Sequence, residues 1–220
     1  MCGRYLLEDE VYADMLELIL ATANANATGA QLPGPDSTLP PGSALAKGEV
    51  FPTNIAPVFS RDGAAGVKWG FPHWKNAGVV INARAETALE KNMFSKPLLK
   101  SRCVIPSSGF YEWDRSGGKK KKDKYLLRRP GESALYMAGM INTFHDADGS
   151  DYSAFVILTT AANGSVAPIH DRMPVILAPD ERKLWIEDDS FMEYALNRAG
   201  PELVLYTLPP INSPPVPVSG

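Results

Sequence analysis

The chain has 220 residues, 45% of them apolar and 21% charged, which is enough to enclose one sizeable core and ordinary for a globular protein. A net charge of -3 excludes a protein that coats itself in nucleic acid or lipid through bulk electrostatics, so any such contact needs a local basic patch. No apolar run reaches the roughly 18 residues of a membrane span, and the first apolar block is broken by Glu8, Asp9, Glu10, Asp14 and Glu17.

Met1 and Cys2 come first. A small second residue normally directs removal of the initiator methionine, leaving cysteine at the terminus with a thiol and a primary amine on adjacent carbons. The α-amine has a reference pKa of about 7.7–8.0 against about 10.4 for lysine, so roughly a tenth of it is neutral and nucleophilic at pH 7. The two cysteines, Cys2 and Cys103, form no CxxC pair and follow no signal peptide. They read as free thiols in a reducing compartment, and a cytoplasmic location is expected.

Gly3 to Leu7 is predicted as a strand, and Glu8 to Ala21 as a helix with Val11, Met15, Leu18 and Ile19 at helical spacing. Thr22 to Gly48, rich in Ala, Asn, Gly, Pro and Ser, is predicted as a long surface loop. Short strands follow at Asn54 to Ser60, Val67 to Phe71 and Val79 to Ala83, then a helix at Met93 to Lys100 leading into the apolar Cys103 to Ile105. Further strands are predicted at Gly109 to Trp113, Tyr125 to Arg129, Ala134 to Thr143, Tyr152 to Thr160 and Met173 to Leu177. Pro179 opens a helix Asp180 to Ile186, a second helix spans Ser190 to Arg198, and a strand covers Leu203 to Leu208. Strands in succession with turn-length gaps favour antiparallel pairing. The expected fold is therefore a single α+β domain over 1–208, with a mainly antiparallel, curved or barrel-like β core, peripheral helices and a proline-rich tail from 209 to 220.

No metal-ligand spacing appears among His73, His145, His170 and the cysteines, and Walker, GxGxxG and GxSxG motifs are absent, so neither metal nor cofactor is expected. Asn82, Arg84 and Glu86 alternate along one predicted strand face. Glu112 sits among aromatics, where burial would suit it to proton transfer; otherwise it is an edge-strand carboxylate. His170 stands two residues from Arg172, the run Gly118 to Lys124 is either a solvated hairpin tip or a phosphate site, and Trp69, Trp74 and Pro57 are either core or stacking platforms for bases.

Taken in order, Met1-Cys2-Gly3-Arg4-Tyr5, Asn54-Ile55-Ala56-Pro57, Trp69-Gly70-Phe71, Ile81 to Thr87, Gly109 to Trp113, Thr159 to Asn163 and His170-Asp171-Arg172-Met173-Pro174 resemble the SRAP (SOS response-associated peptidase) family. The resemblance runs from about Met1 to Trp185. It implies a sensor and shield of abasic sites in single-stranded DNA that forms a covalent thiazolidine link through Cys2 once Met1 is gone, with strand-cleaving lyase activity and self-processing as further activities. It implies Cys2 as nucleophile, Asn82 as holder of the terminal amine, and Glu112 and His170 as proton carriers. Arg4, Arg84 and Arg172 would meet phosphates, and Pro57, Trp74 and Thr159 would line the DNA path. The stretch after Gly70 is shorter than the family's tryptophan-rich segment, and the Thr22 to Gly48 loop is longer. The expected partner is abasic single-stranded DNA, met by a monomer, with no membrane and no metal. Three other readings stay open: a glutamine amidotransferase of the N-terminal-nucleophile type, although Arg4-Tyr5 follows Met-Cys-Gly here; a peptidase limited to removing Met1; and a DNA-binding module without chemistry, if Met1 stays in place.

Overall fold

The computed structural model describes residues 2–27, 44–73, 77–114, 123–207 and 216–217. Five of its strands close into a barrel: β3 (Ile55–Ser60), β4 (Gly63–Trp69), β8 (Arg102–Ser107), β11 (Leu135–His145) and β12 (Asp151–Ala161). The ring runs β12-β4-β3-β8-β11 and returns to β12. Full closure leaves no edge among these five strands. The expected α+β fold with a barrel-like core is what the chain adopts.

Alternation along the strands separates inside from outside. Ala56, Val58, Val67, Trp69, Cys103, Ile105, Met137, Ile141, Phe155 and Ile157 belong to one buried cluster that fills the barrel. The intervening Val104, Ala138, Met140, Val156 and Leu158 belong to a second cluster, under three helices: α2 (Asn92–Lys100), α3 (Glu181–Glu187) and α4 (Asp189–Asn197). One guanidinium ties these helices to the barrel. Arg102, only 4% exposed, donates to the carbonyls of Trp185 at 2.5 Å, Leu98 at 3.1 Å and Ile186 at 3.2 Å and pairs with Asp189 at 2.8 Å. Such saturation is what makes a buried cation tolerable.

A second sheet covers one mouth of the barrel. Its order is β16-β15-β10-β9-β1-β2, with β1 (Arg4–Leu7), β2 (Gly48–Val50), β9 (Gly109–Trp113), β10 (Lys124–Arg128), β15 (Val204–Thr207) and β16 (Val216–Pro217). The chain passes from barrel to cover at Ser108, whose N–H donates to the Leu6 carbonyl at 2.7 Å and whose hydroxyl accepts from the Glu8 N–H at 3.0 Å. Tyr5, Leu7, Phe110 and Leu127 then point down into the barrel cluster.

The first helix, α1 (Asp9–Ala27), is longer than its predicted span, which ended at Ala21. Alanines at 21, 23, 25 and 27 are strong helix formers, and the Thr22 hydroxyl donates to the Leu18 carbonyl at 2.9 Å while accepting from the Ala64 N–H at 3.2 Å, which docks this turn on β4. Most of the remaining predicted loop, residues 28–43, lies outside the described residues, as do Gly118 to Lys122 and most of the tail. Apart from an isolated parallel bridge between Leu45 and Ile55, two strand pairings among the described residues are parallel: β12 with β4, and β12 with β7 (Asn82–Arg84). They arise because the chain leaves β4, makes the short hairpin β5 (Phe71–Pro72) and β6 (Val79–Val80), and returns along the same edge of β12. Among the described residues no helix is long and apolar enough to cross a membrane.

Gly139 lies in β11 where the barrel wall is tightest: a Cβ there would stand 2.3 Å from Ile105 Cδ1 and 2.6 Å from the Val156 carbonyl oxygen. The side chain can turn aside but the backbone oxygen cannot. Gly139→Ala should therefore lower stability by about 1–3 kcal/mol, read as a shifted denaturant midpoint with an unchanged slope.

Candidate active site

The register of β1 decides where the terminus goes. It is an inner strand, with Tyr5 opposite Val50 on one side and Arg4 opposite Tyr111 on the other, so the chain before it is drawn under the cover sheet. Cys2 is fully buried. Its thiol lies 3.7 Å from the Arg4 carbonyl, and its own carbonyl accepts a hydrogen bond from Asn82 Nδ2 at 2.9 Å. Asn82 reaches it because β7 runs beside β12, with Asn82 opposite Ile157. The amide's other atom, Oδ1, is buried and has no hydrogen-bond partner among the described residues. An unmet buried acceptor costs roughly 1–3 kcal/mol. Burial pushes the Cys2 thiol well above its ordinary value, and the negative charge of Glu112 pushes it further, so the resting thiol is protonated.

Glu112 comes from β9, one residue past the Tyr111 that pairs with Arg4, and is 2% exposed. His170 is 3% exposed and ends a tight turn in which the N–H groups of Val166 and Ala167 donate to the Asn163 carbonyl and the His170 N–H donates to the Val166 carbonyl at 3.1 Å. Asn163 locks that turn to the C-terminal segment by donating to the carbonyls of Gly200 at 3.0 Å and Pro201 at 2.7 Å. His170 Nε2 stands 3.8 Å from Glu112 Oε2. The Arg172 N–H donates to Nδ1 at 3.0 Å, which leaves the proton of a neutral ring on Nε2, facing Glu112. Asp171 Oδ1 is also 3.0 Å from Nδ1, an acceptor for that nitrogen when it carries the hydrogen. The imidazole thus has a partner for either state, as a proton carrier requires.

Beside this group, Arg172 grips Glu86 through two bonds of 2.6 and 2.9 Å and donates to the Thr159 carbonyl at 2.5 Å. The Arg172 guanidinium holds the Glu86 carboxyl below the usual carboxylate range. The expected alternation of Asn82, Arg84 and Glu86 along one strand stops at Arg84, because Ala85–Thr87 forms a 3-10 turn that swings Glu86 onto Arg172. Arg84 is exposed at the strand's end, opposite Thr159 in the ladder, and Thr159 is fully buried. Arg4, on β1, pairs with Glu49 at 3.1 Å.

The residues singled out from the sequence therefore fall into groups. Cys2, Asn82, Glu112 and His170 converge from four separate segments, and Arg84, Thr159 and Arg172 form a flank beside them. Pro57 is buried in β3 opposite Gly66, and Trp74 lies outside the described residues. Trp69 is core: it is fully buried, donates from Nε1 to the Ile81 carbonyl at 3.1 Å, and packs between Tyr5 at 5.2 Å and Phe155 at 6.2 Å. Sequence reasoning overlooked Glu86 as the partner of Arg172 and Asp171 as the neighbour of His170; both stood inside quoted motifs, and only a fold shows which charges meet. Two clefts, of 250 and 150 Å3, lie elsewhere, at the far barrel mouth near Arg61 and Lys100 and against α1. Among the described residues no group of three or more His, Cys, Asp or Glu side chains is placed to hold a metal ion.

A barrel covered by a sheet whose first strand buries an N-terminal cysteine against an asparagine, a glutamate and a histidine defines a class of protein. The family model described as SOS response associated peptidase (SRAP) matches residues 1–207, and the chain belongs to that family. It is 32% identical over 195 residues to the abasic site processing protein YoqW of Bacillus subtilis, covering 84% of this chain and 80% of that one. It is 38% identical over 156 residues to YoaM of the same organism, also named an abasic site processing protein, covering 64% and 68%. A solved structure from Bordetella bronchiseptica shares the fold, with a TM-score of 0.71 at 22% identity over 94% of this chain and all of that one.

Burial also pushes the Cys103 thiol up from its ordinary 9.0. An unfolded chain releases both thiol protons near that value while the native chain keeps them, so the native state binds more protons and stability falls as pH rises past 9.0. Denaturant titrations at about pH 8 and pH 10 should differ by up to about 1.4 kcal/mol per thiol per pH unit in the ionising range. Equal stability at the two pH values would contradict the burial of both thiols.

Proposed function

We propose that this chain processes abasic sites in single-stranded DNA by linking Cys2 covalently to the damaged sugar once Met1 has been removed. The observation that carries the reading is the environment of Cys2: Asn82 holds its carbonyl at 2.9 Å and keeps a buried Oδ1 with no partner among the described residues, while Glu112, whose charge bears on the thiol, stands 3.8 Å from His170. The names of the similar proteins from Bacillus subtilis agree with it.

An abasic deoxyribose opens to an aldehyde. The freed α-amine attacks the aldehyde carbon, forming a carbon–nitrogen bond while the aldehyde oxygen takes up a proton. That oxygen leaves as water and an imine results. The Cys2 thiol then adds to the imine carbon: a carbon–sulfur bond forms, the thiol proton passes to nitrogen, and a five-membered thiazolidine closes. Effective molarities for well-oriented intramolecular steps reach about 10⁵–10⁸ M, so ring closure outruns imine hydrolysis. A lysine imine has no such second nucleophile and would proceed to strand cleavage.

The resting thiol is protonated, so closure needs an acceptor for its proton, and Glu112 is the buried carboxylate whose charge bears on it. Asn82 Oδ1 is the acceptor for an N–H of the freed amine, which orients the lone pair toward the aldehyde. His170, with a partner at Nδ1 in either protonation state, moves the proton that opens the sugar ring. Arg84 and Arg172 flank the strand as phosphate partners, Arg172 by exchanging Glu86 for phosphate. The chemistry needs no metal or cofactor, and the proposed setting is the cytoplasm, at the nucleoid.

Incubation with single-stranded oligonucleotides, one with an abasic site and one without, should give a denaturation-resistant conjugate with the abasic strand alone. Cys2→Ser should abolish that conjugate, and its persistence would refute the ring. Glu112→Gln should slow conjugation by roughly 10²–10⁴, the usual loss on removing a general acid or base, with the final yield at long times less affected.

A further inference from the structure

On the outer face of the cover sheet, a second constellation sits back to back with Glu112. Alternation along β9 sends Phe110 and Glu112 inward and Tyr111 and Trp113 outward. Opposite Trp113 in the ladder is Lys124, the last lysine of the basic run noted in the sequence. Its Nζ lies 3.8 Å from the centre of the Tyr111 ring and 5.6 Å from that of Trp113. Arg4 lies over Phe51 at 4.6 Å and over the same Trp113 at 5.1 Å. Both cations converge on one atom: Glu49 Oε1 is 3.1 Å from Arg4 Nη1 and 2.6 Å from Lys124 Nζ.

Two cations aimed at a single oxygen form a preset oxyanion site, and Glu49 supplies the oxygen from within the chain. With two positive charges against one negative, the cluster keeps a net charge of +1, and the side chains are 40% (Arg4), 23% (Lys124) and 27% (Glu49) exposed, so solvent reaches all three. Glu49 is on β2, the edge strand of the sheet, where a side chain can swing away without breaking the ladder. Aromatic faces beside the cations supply the other half of what a single strand needs, stacking surface next to phosphate charge.

We infer that Arg4 and Lys124 form a two-cation clamp for one phosphodiester of the bound strand, with Glu49 as the internal carboxylate that holds the clamp when no strand is present. The inference rests on the single-strand reading above and adds Lys124 and Glu49 to the strand's path. Strand binding exchanges one anion for another, so Glu49 tunes affinity downward while keeping both cations in place.

The test measures anisotropy of a labelled single-stranded oligonucleotide carrying a tetrahydrofuran abasic analogue, which has no aldehyde and so reports binding alone, from about 50 to about 200 mM salt. Lys124→Gln should weaken low-salt binding roughly three- to tenfold and flatten the log–log salt dependence by about 0.7, the share of one phosphate contact on a single strand. Lys124→Arg should keep both, since the charge remains. Glu49→Gln should tighten low-salt binding several-fold. Wild-type affinity and slope in Lys124→Gln, or weakening in Glu49→Gln, would overturn the clamp and leave the cluster a support for the sheet. A wild-type protein that forms no conjugate with a genuine abasic strand would instead overturn the reading beneath it, so the two failures are distinguishable.

Discussion

Everything at this site depends on β1 being an inner strand. Hydrogen-bonded on both sides, to β2 and to β9, it cannot fray, and the residue two positions before it is carried under the cover sheet and fully buried. Chain termini are ordinarily mobile. Here the side chain of Asn82, from 80 positions along the chain, fixes the Cys2 carbonyl, and the same pairing that seats β1 brings in β9 and therefore Glu112. A terminal amine and a thiol gain rate only if held at a fixed distance from the carbonyl they attack, and a ladder with partners on both sides provides that stiffness.

Burial has a second effect. It keeps the Cys2 thiol protonated and sheltered, so the reactive group at rest is not the thiolate that oxidants and metals attack. In the proposed reaction the amine acts first, and the thiol is needed only after an imine carbon lies within reach. An order in which the less basic nitrogen leads and the masked sulfur follows suits a protein that must bind one lesion and otherwise stay inert. In that proposal Glu112 and His170, buried within 3.8 Å of one another, would serve both proton transfers without exposing a charge to solvent.

The charged surface is arranged by exchange. Arg172 is held by Glu86, and Arg4 and Lys124 are held by Glu49, so the guanidinium and ammonium groups near the site already have a carboxylate partner. Arg84, exposed at the end of β7, makes no ion pair among the described residues. A net charge of -3 is compatible with a polyanion as the proposed ligand, because the positive groups gather locally: Arg172 opposite Glu86, and Arg4 with Lys124 around the single Glu49.

Much of the fold was legible from residue order. Turn-length gaps between apolar runs point to an antiparallel, barrel-like core, and the runs place many strands within a residue or two, whereas β4 begins at Gly63 rather than Val67 and the short strands β2 and β16 were not anticipated. Helix α1 was read short because alanine next to asparagine looks like loop composition, whereas the Thr22 bonds to Leu18 and Ala64 that extend it are tertiary. Each of the motif residues Cys2, Asn82, Glu112 and His170 by itself reads equally well as a strand-face polar group or a structural side chain; they were identifiable only through the resemblance of their motifs, taken together and in order, to a known family. Their convergence was not, because it depends on β7 running parallel to β12 and on β9 pairing with β1, and pairing across 80 or 100 positions leaves no trace in local spacing. The sequence alone determined which chemical groups the chain carries and which strands it can form. Only the tertiary structure decided which carboxylate meets which cation, that Trp69 is core, and that the two faces of β9 present a buried carboxylate on one side and aromatic rings on the other, because those choices are made by strand register, and register is a property of pairs.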